Sequence, residues 1–253
     1  MINGDFMNII GLTATLVLGI FIIFGAFIIH VFKNKDKFLL VSLGMAFGVM
    51  MMLIFIELLP EVYEIFTSKW NVLETILIIV GLSLVGLFLL KFLDRFIPDH
   101  DDEDEEDHLI HIGIVSSIAI IIHNIIEGMA VYNTITTSLS LGIILSIGVG
   151  LHNIPLGMII SSTFYKSIKN KKKSNILIIL ISLSTFIGGL IMALFNFTNE
   201  LAIGILLSIT IGMLIYINII EILPKLLKSK DKKTVLISTG VGIIVLFISH
   251  LLG

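Results

Sequence analysis

Long apolar stretches broken by short polar clusters organise this chain. Eight segments stand out, at about 8–31, 38–59, 72–94, 109–132, 138–163, 175–196, 201–223 and 234–252. Each comes close to or exceeds the ~20 apolar residues that a helix needs to cross a bilayer. Eight such runs in 253 residues leave too little polar surface to coat a soluble globule. The pattern predicts an all-α, polytopic membrane protein: a single transmembrane domain over 1–253 with eight transmembrane helices.

The basic residues orient these segments, because Lys and Arg concentrate on the cytoplasmic side. Lys33, Lys35 and Lys37 follow the first segment, and Lys91 and Arg95 flank the third connection. Lys166, Lys169 and Lys171 to Lys173 occupy the fifth, and Lys225, Lys228, Lys230, Lys232 and Lys233 the seventh. Of the 16 basic residues, only Lys69 falls on the other side. Odd-numbered connections are therefore expected in the cytoplasm, with both termini extracellular. An acidic cytoplasmic loop, 96–108, contains the run DHDDEDEEDH. Runs of like charge are usually solvated, and His100 and His108 would give this one low-affinity sites for an exiting cation.

Composition changes the picture mainly by exclusion. Hydrophobic residues make up 57% of the chain and charged residues 14%, well below the ~25% charge of a soluble domain. A net charge of −3 without a basic stripe argues against nucleic acid as a partner. The absence of Cys removes disulfides and thiolate ligands. No Gly-rich loop precedes Lys-Ser/Thr, so no nucleotide site is expected. The opening MINGDFMNII lacks the basic region of a removable signal peptide.

Two self-similarities run through the apolar background. GVMMMLIFIELLP (48–60) matches GMLIYINIIEILP (212–224), pairing Glu57 with Glu221 and Pro60 with Pro224. SIAIIIHNIIEGM (117–129) matches SIGVGLHNIPLGM (146–158) at a constant offset of 29. In both cases the partners lie on segments of opposite direction. That is the signature of inverted repeats, which place a transporter's substrate site near the midplane at the repeat interface.

The chemistry sits in the second pair. His123 and Glu127 are four residues apart on one helical face, with Asn124 beside them. His152 and Asn153 occupy the matching place on the fifth segment, and Pro155 follows. Such groups at mid-membrane cost several kcal/mol unless they pair or line a wet cavity. Two imidazoles and a carboxylate suit Zn²⁺ or Fe²⁺, with the Asn side chains as carbonyl donors or orienting partners. Pro155 removes one N–H and crowds the carbonyl of Leu151, so a helix kink is expected there. Glu57 and Glu221 are candidate relay groups at the two mouths of the pathway. His111, about three turns before His123, is a candidate stepping stone.

At these residues the sequence resembles the ZIP (Zrt/Irt-like) divalent metal transporters. The resemblance rests on His-Asn-x-x-Glu-Gly at 123–128, His-Asn-Ile-Pro-x-Gly at 152–157 and the two Glu-x-Leu-Pro helix ends. It implies an importer in the cell membrane that takes zinc, iron or manganese ions as substrate, with cadmium left open by the ligand set, and a homodimer in the bilayer is an expectation of the same resemblance. It also implies movement of a transport bundle against a scaffold, often described as an elevator. Carried over by position, His123, Glu127 and His152 would ligate the metal, Asn124 and Asn153 would flank it, and Met50 would offer a thioether. The chain departs from the family pattern at Leu156, where many relatives have Glu, and in lacking an acidic residue between 175 and 196. A single bound metal is therefore expected, with Glu127 as its one nearby intramembrane carboxylate.

Two other readings compete. One is a metal-binding membrane sensor or transport-incompetent relative, suggested by Leu156. The other is a membrane metalloenzyme, disfavoured because no His-Glu-x-x-His run is present and a di-iron site wants several carboxylates with Glu-x-x-His spacing where this chain offers Glu127 alone.

Overall fold

The computed structural model describes residues 4–31, 33–94, 105–167, 171–195 and 200–252; along 105–116 it describes the backbone alone. Regular structure among the described residues is entirely helical. In chain order the helices are α1 (Gly4–Phe27), α2 (Lys35–Met52), α3 (Leu59–Thr67), α4 (Val72–Asp94), α5 (Glu105–Thr137) and α6 (Leu139–Ser167). There follow α7 (Lys171–Ser182), α8 (Ser184–Phe195), α9 (Glu200–Tyr216), α10 (Leu223–Lys228) and α11 (Lys232–Leu252). Seven spans among the described residues are long and apolar enough to cross a membrane. The eighth expected segment coincides with α11, a 21-residue helix.

Polar side chains set the helix starts. Asn34 accepts from the Lys37 amide at 3.0 Å. Asn71 and Glu74 cap each other's backbone amides at 3.0 and 3.1 Å, a reciprocal box at the start of α4. Asp231 accepts from the Thr234 hydroxyl at 2.6 Å and amide at 3.0 Å. These bonds, the hydroxyl's first, hold its carboxyl below the usual carboxylate value.

Three spans depart from the plain helices that hydrophobicity predicts. The second does not stop at Pro60. It passes through a widened turn, Leu53–Leu58, and continues as α3 to Thr67. The seventh passes through an equivalent turn, Ile217–Ile222, into α10. The Leu59 N–H reaches back five residues to the Ile54 carbonyl, and that of Leu223 to Asn218. This π geometry no longer needs the N–H that Pro60 and Pro224 lack, so each helix survives its proline. In the sixth span, helical geometry lapses at Leu183 between α7 and α8. There the Ser182 hydroxyl donates to the Ile179 carbonyl at 2.7 Å and that of Ser184 to Ile181 at 2.5 Å, competing with the ladder. Pro155, by contrast, lies inside an unbroken α6.

Close backbone contact defines the packing. A Cβ on Gly128 would lie 1.9 Å from the Thr185 carbonyl oxygen, and one on Gly188 1.9 Å from that of Ile125. The same reciprocity joins α1 to α6, where Gly25 meets the Ile154 carbonyl and Gly157 that of Ile22, both at 2.0 Å. It joins α4 to α9 through Gly86 on Ile209 (1.9 Å) and Gly212 on Ser83 (1.8 Å). It joins α2 to α11 through Gly48 on Thr239 (2.3 Å) and Gly242 on Met45 (2.2 Å). Small residues at such crossings let helices approach when lipid supplies no hydrophobic drive between them. The contacts recur in register: Gly128 and Ile125 correspond to Gly157 and Ile154 at the offset of 29 seen in the sequence. With α5 also packed on α6, the helices α1, α5, α6 and α8 surround the His-Asn motifs, while α2 and α11 pack against α6 and α9 against α5.

Enlarging these glycines should damage the fold, while open ones should tolerate it. Gly128→Ala and Gly188→Ala are expected to destabilise by at least about 1–3 kcal/mol, read as a lower Tm in detergent. Gly81→Ala and Gly240→Ala, whose added methyl meets nothing within 4 Å, should leave the Tm unchanged.

Candidate metal centre

Adjacent positions on α5 and α6 carry the site. His123 and Glu127 share one face of α5, and His152 faces them from α6. The Glu127 Oε1 atom lies 2.7 Å from His152 Nε2 and 3.7 Å from His123 Nε2. The three residues offer ligand atoms all within 4.8 Å of one another. The two imidazole rings are 6.2 Å apart and tilted by 41°, so neither stacks on the other.

These groups are buried without being satisfied. His123, His152, Asn124 and Asn153 are each at most 3% exposed. Twelve buried side-chain nitrogen or oxygen atoms among the described residues have no hydrogen-bond partner, and eight of them belong to these four residues and Glu127. Both nitrogens of each His and the Glu127 Oε2 are in that set. The 2.7 Å approach of His152 Nε2 to the Glu127 Oε1 is the one close contact within the cluster. The remaining donor atoms converge on a common space without partners of their own. Unpaired buried polar atoms are costly, and a divalent cation would satisfy them together.

The two Asn side chains differ. Asn124 donates its amide to the Ser184 hydroxyl of α8 at 3.1 Å, which ties α5 to the loosened turn at Leu183. Asn153 stands near enough to act on the Glu127 carboxylate without forming an aligned hydrogen bond. Ser184 was not singled out from the sequence; a Ser-Leu-Ser triplet inside an apolar segment was the available signal.

A cavity of about 260 Å³ leads to this cluster. His123 and Glu127 form part of its wall, with Glu57 and Glu61 from the second span and Asn133 and Thr134 from the end of α5. It lies towards the helix ends opposite the lysine-rich connections. Glu57 and Glu61 thus join Glu127 as carboxylates of the cavity wall. Met50 is fully buried in the apolar core and is not among the lining residues. Leu156, 2% exposed, belongs to the same core. Glu221 is buried in the widened turn Ile217–Ile222, away from this wall. His100 lies outside the described residues, as do the side chains of His108 and His111 on α5.

Comparison with known proteins shows the family. The profile of a family described as "ZIP Zinc transporter" matches residues 98–248. A "Zinc transporter ZupT" of Clostridium perfringens is 30% identical over 100% of this chain and 99% of its own length. One of Streptococcus mutans is 33% identical over 79% of this chain and 81% of its own, and one of Chlorobaculum parvum 31% over 76% and 79%. The chain belongs to the ZIP family of transporters: it is a multi-pass membrane protein and not an enzyme.

Proposed function

We propose that this protein carries divalent transition metal, zinc foremost, across the plasma membrane into the cytoplasm. The observation that carries the reading is the convergence of unpaired His123, Glu127 and His152 donor atoms beside a cavity. Imidazole and carboxylate favour Zn²⁺ or Fe²⁺ over Ca²⁺ or Mg²⁺, and a relative matched along 99% of its own length is named a zinc transporter. Lysine asymmetry puts the cavity on the extracellular side, so the ion enters past Glu57 and leaves past Glu221. The constant offsets of the glycine contacts support an inverted repeat about the α5–α6 interface.

The centre holds one metal at a time. A second ion beside the first needs anionic oxygen beyond what balances the first. Leu156 supplies none on α6, and the Asn124–Ser184 bond fills the α8 side with neutral groups. Asn124 and Asn153 orient the ligands rather than replace them. Pro155 leaves the Leu151 carbonyl without its helical donor, adding one acceptor to the wall near His152.

Uptake of radioactive Zn²⁺ into proteoliposomes tests the assignment, with Fe²⁺, Mn²⁺ and Cd²⁺ as competitors. His123→Ala and Glu127→Ala should each abolish uptake; transport by both at the wild-type rate means that the ligands lie elsewhere. A wild-type chain that binds zinc but moves none under a steep gradient would be a sensor. Stoichiometry is read separately, by anomalous scattering from zinc-soaked crystals. One strong peak is expected between α5 and α6, and two full-occupancy peaks within about 4 Å would overturn the one-metal centre.

A further inference from the structure

A dication on His123, Glu127 and His152 meets one negative charge from these ligands. The remaining positive charge would sit among buried groups, where an unbalanced ion is strongly disfavoured. In register with Glu127, four residues beyond its histidine, α6 has the apolar Leu156. Balancing charge from α6 is therefore unavailable, and α8 offers only Ser184 and Thr185 at this level.

The second span fills the gap. Glu57 lies within the widened turn Leu53–Leu58. One extra residue in that turn rotates everything after it relative to a regular helix. Phe55 faces outward while Glu57 is drawn into the wall shared with His123 and Glu127. Its carboxylate acts electrostatically on both His152 and Glu127, and His250 from α11 acts on it in turn. Glu61, one turn further on, is exposed where Glu57 is half-buried. The two acidic groups that the second span gives the wall are thus graded in exposure: Glu61 lies nearer the mouth and Glu57 deeper, on the wall shared with His123 and Glu127.

We propose that Glu57 supplies the second negative charge of the bound ion, from the second span, and so sets the affinity of the centre for divalent metal. This rests on the metal centre described above. The carboxylate that α6 lacks is replaced in charge, not in place, by one that the π turn carries in from the facing helix. A monovalent ion gains no neutrality from the second carboxylate, so Glu57 also favours divalent over monovalent cations.

Calorimetric titration of the purified full chain with Zn²⁺, and again with Cd²⁺, tests this. Glu57→Gln should weaken binding at least about tenfold, and Glu57→Asp should recover most of the loss. Glu61→Gln should change Kd less than about threefold. Leu156→Glu placed in the Glu57→Gln background should restore tight binding, because either carboxylate neutralises the ion. Should that double variant not fold, the Gln and Asp variants at position 57 decide the matter alone. Wild-type Kd in Glu57→Gln, alongside a large loss in Glu127→Gln, overturns the role of Glu57 and leaves the centre intact. Unchanged Kd in both variants overturns the centre itself, and this role with it. A Glu57→Gln effect that disappears at about 0.5 M salt also overturns the proposal, since it would mark long-range attraction at the mouth.

Discussion

Glycine-to-carbonyl contact between helices is the constraint on which this protein's other features depend. In hydrocarbon an apolar side chain gains nothing by leaving lipid for a neighbouring helix, so close backbone approach and interhelical hydrogen bonds carry the packing. Four pairs of spans meet through reciprocal glycines, each resting on a carbonyl of its partner. A contact that tight fixes both the depth and the rotation of each helix. On α5, Gly128 directly follows Glu127, and on α6, Gly157 lies five residues beyond His152. The contacts that clamp these helices therefore also aim their polar side chains at each other.

That rigidity accounts for the chemistry. His123, Glu127 and His152 could relieve their burial by rotating to pair, yet most of their buried polar atoms stay unpaired. Packing holds them with most of their donor atoms unpaired, a geometry suited to a cation. The Asn124–Ser184 bond adds to the clamp from α8. A cation there would offset the cost of burying these atoms unpaired.

The widened turns of the second and seventh spans solve a different problem. Pro60 and Pro224 would end an ordinary helix, and the longer backbone reach lets each continue. A consequence is a shift of helical phase. On the second span that shift brings Glu57 to the cavity and leaves Met50, on the regular part of α2, in the core. On α6 the position in register with Glu127 is the apolar Leu156, and the carboxylate of Glu57 enters the shared cavity wall from the second span instead.

Much of this was legible in the sequence. Apolar run length located the helices, seven of which are long and apolar enough to span among the described residues, because a bilayer demands a minimum helix length whatever the packing; the second runs eight residues past its expected end at 59. The matched His-Asn motifs marked α5 and α6, since polar groups at that depth are too costly to be incidental, and the missing Glu at 156 was visible outright. What the sequence could not decide was rotation and continuity. The extension of the second span past Pro60, the lapse at Leu183 and the placement of Ser184 against Asn124 all follow from backbone geometry that hydrophobicity does not report. Met50 and Glu57 show the difference most clearly: resemblance pointed to Met50 as a thioether donor and the sequence placed Glu57 at a mouth, whereas only the fold shows Met50 in the apolar core and Glu57 in the cavity wall. One π turn and a set of glycine contacts determine which side of a helix faces the cavity, and hydrophobicity does not report them.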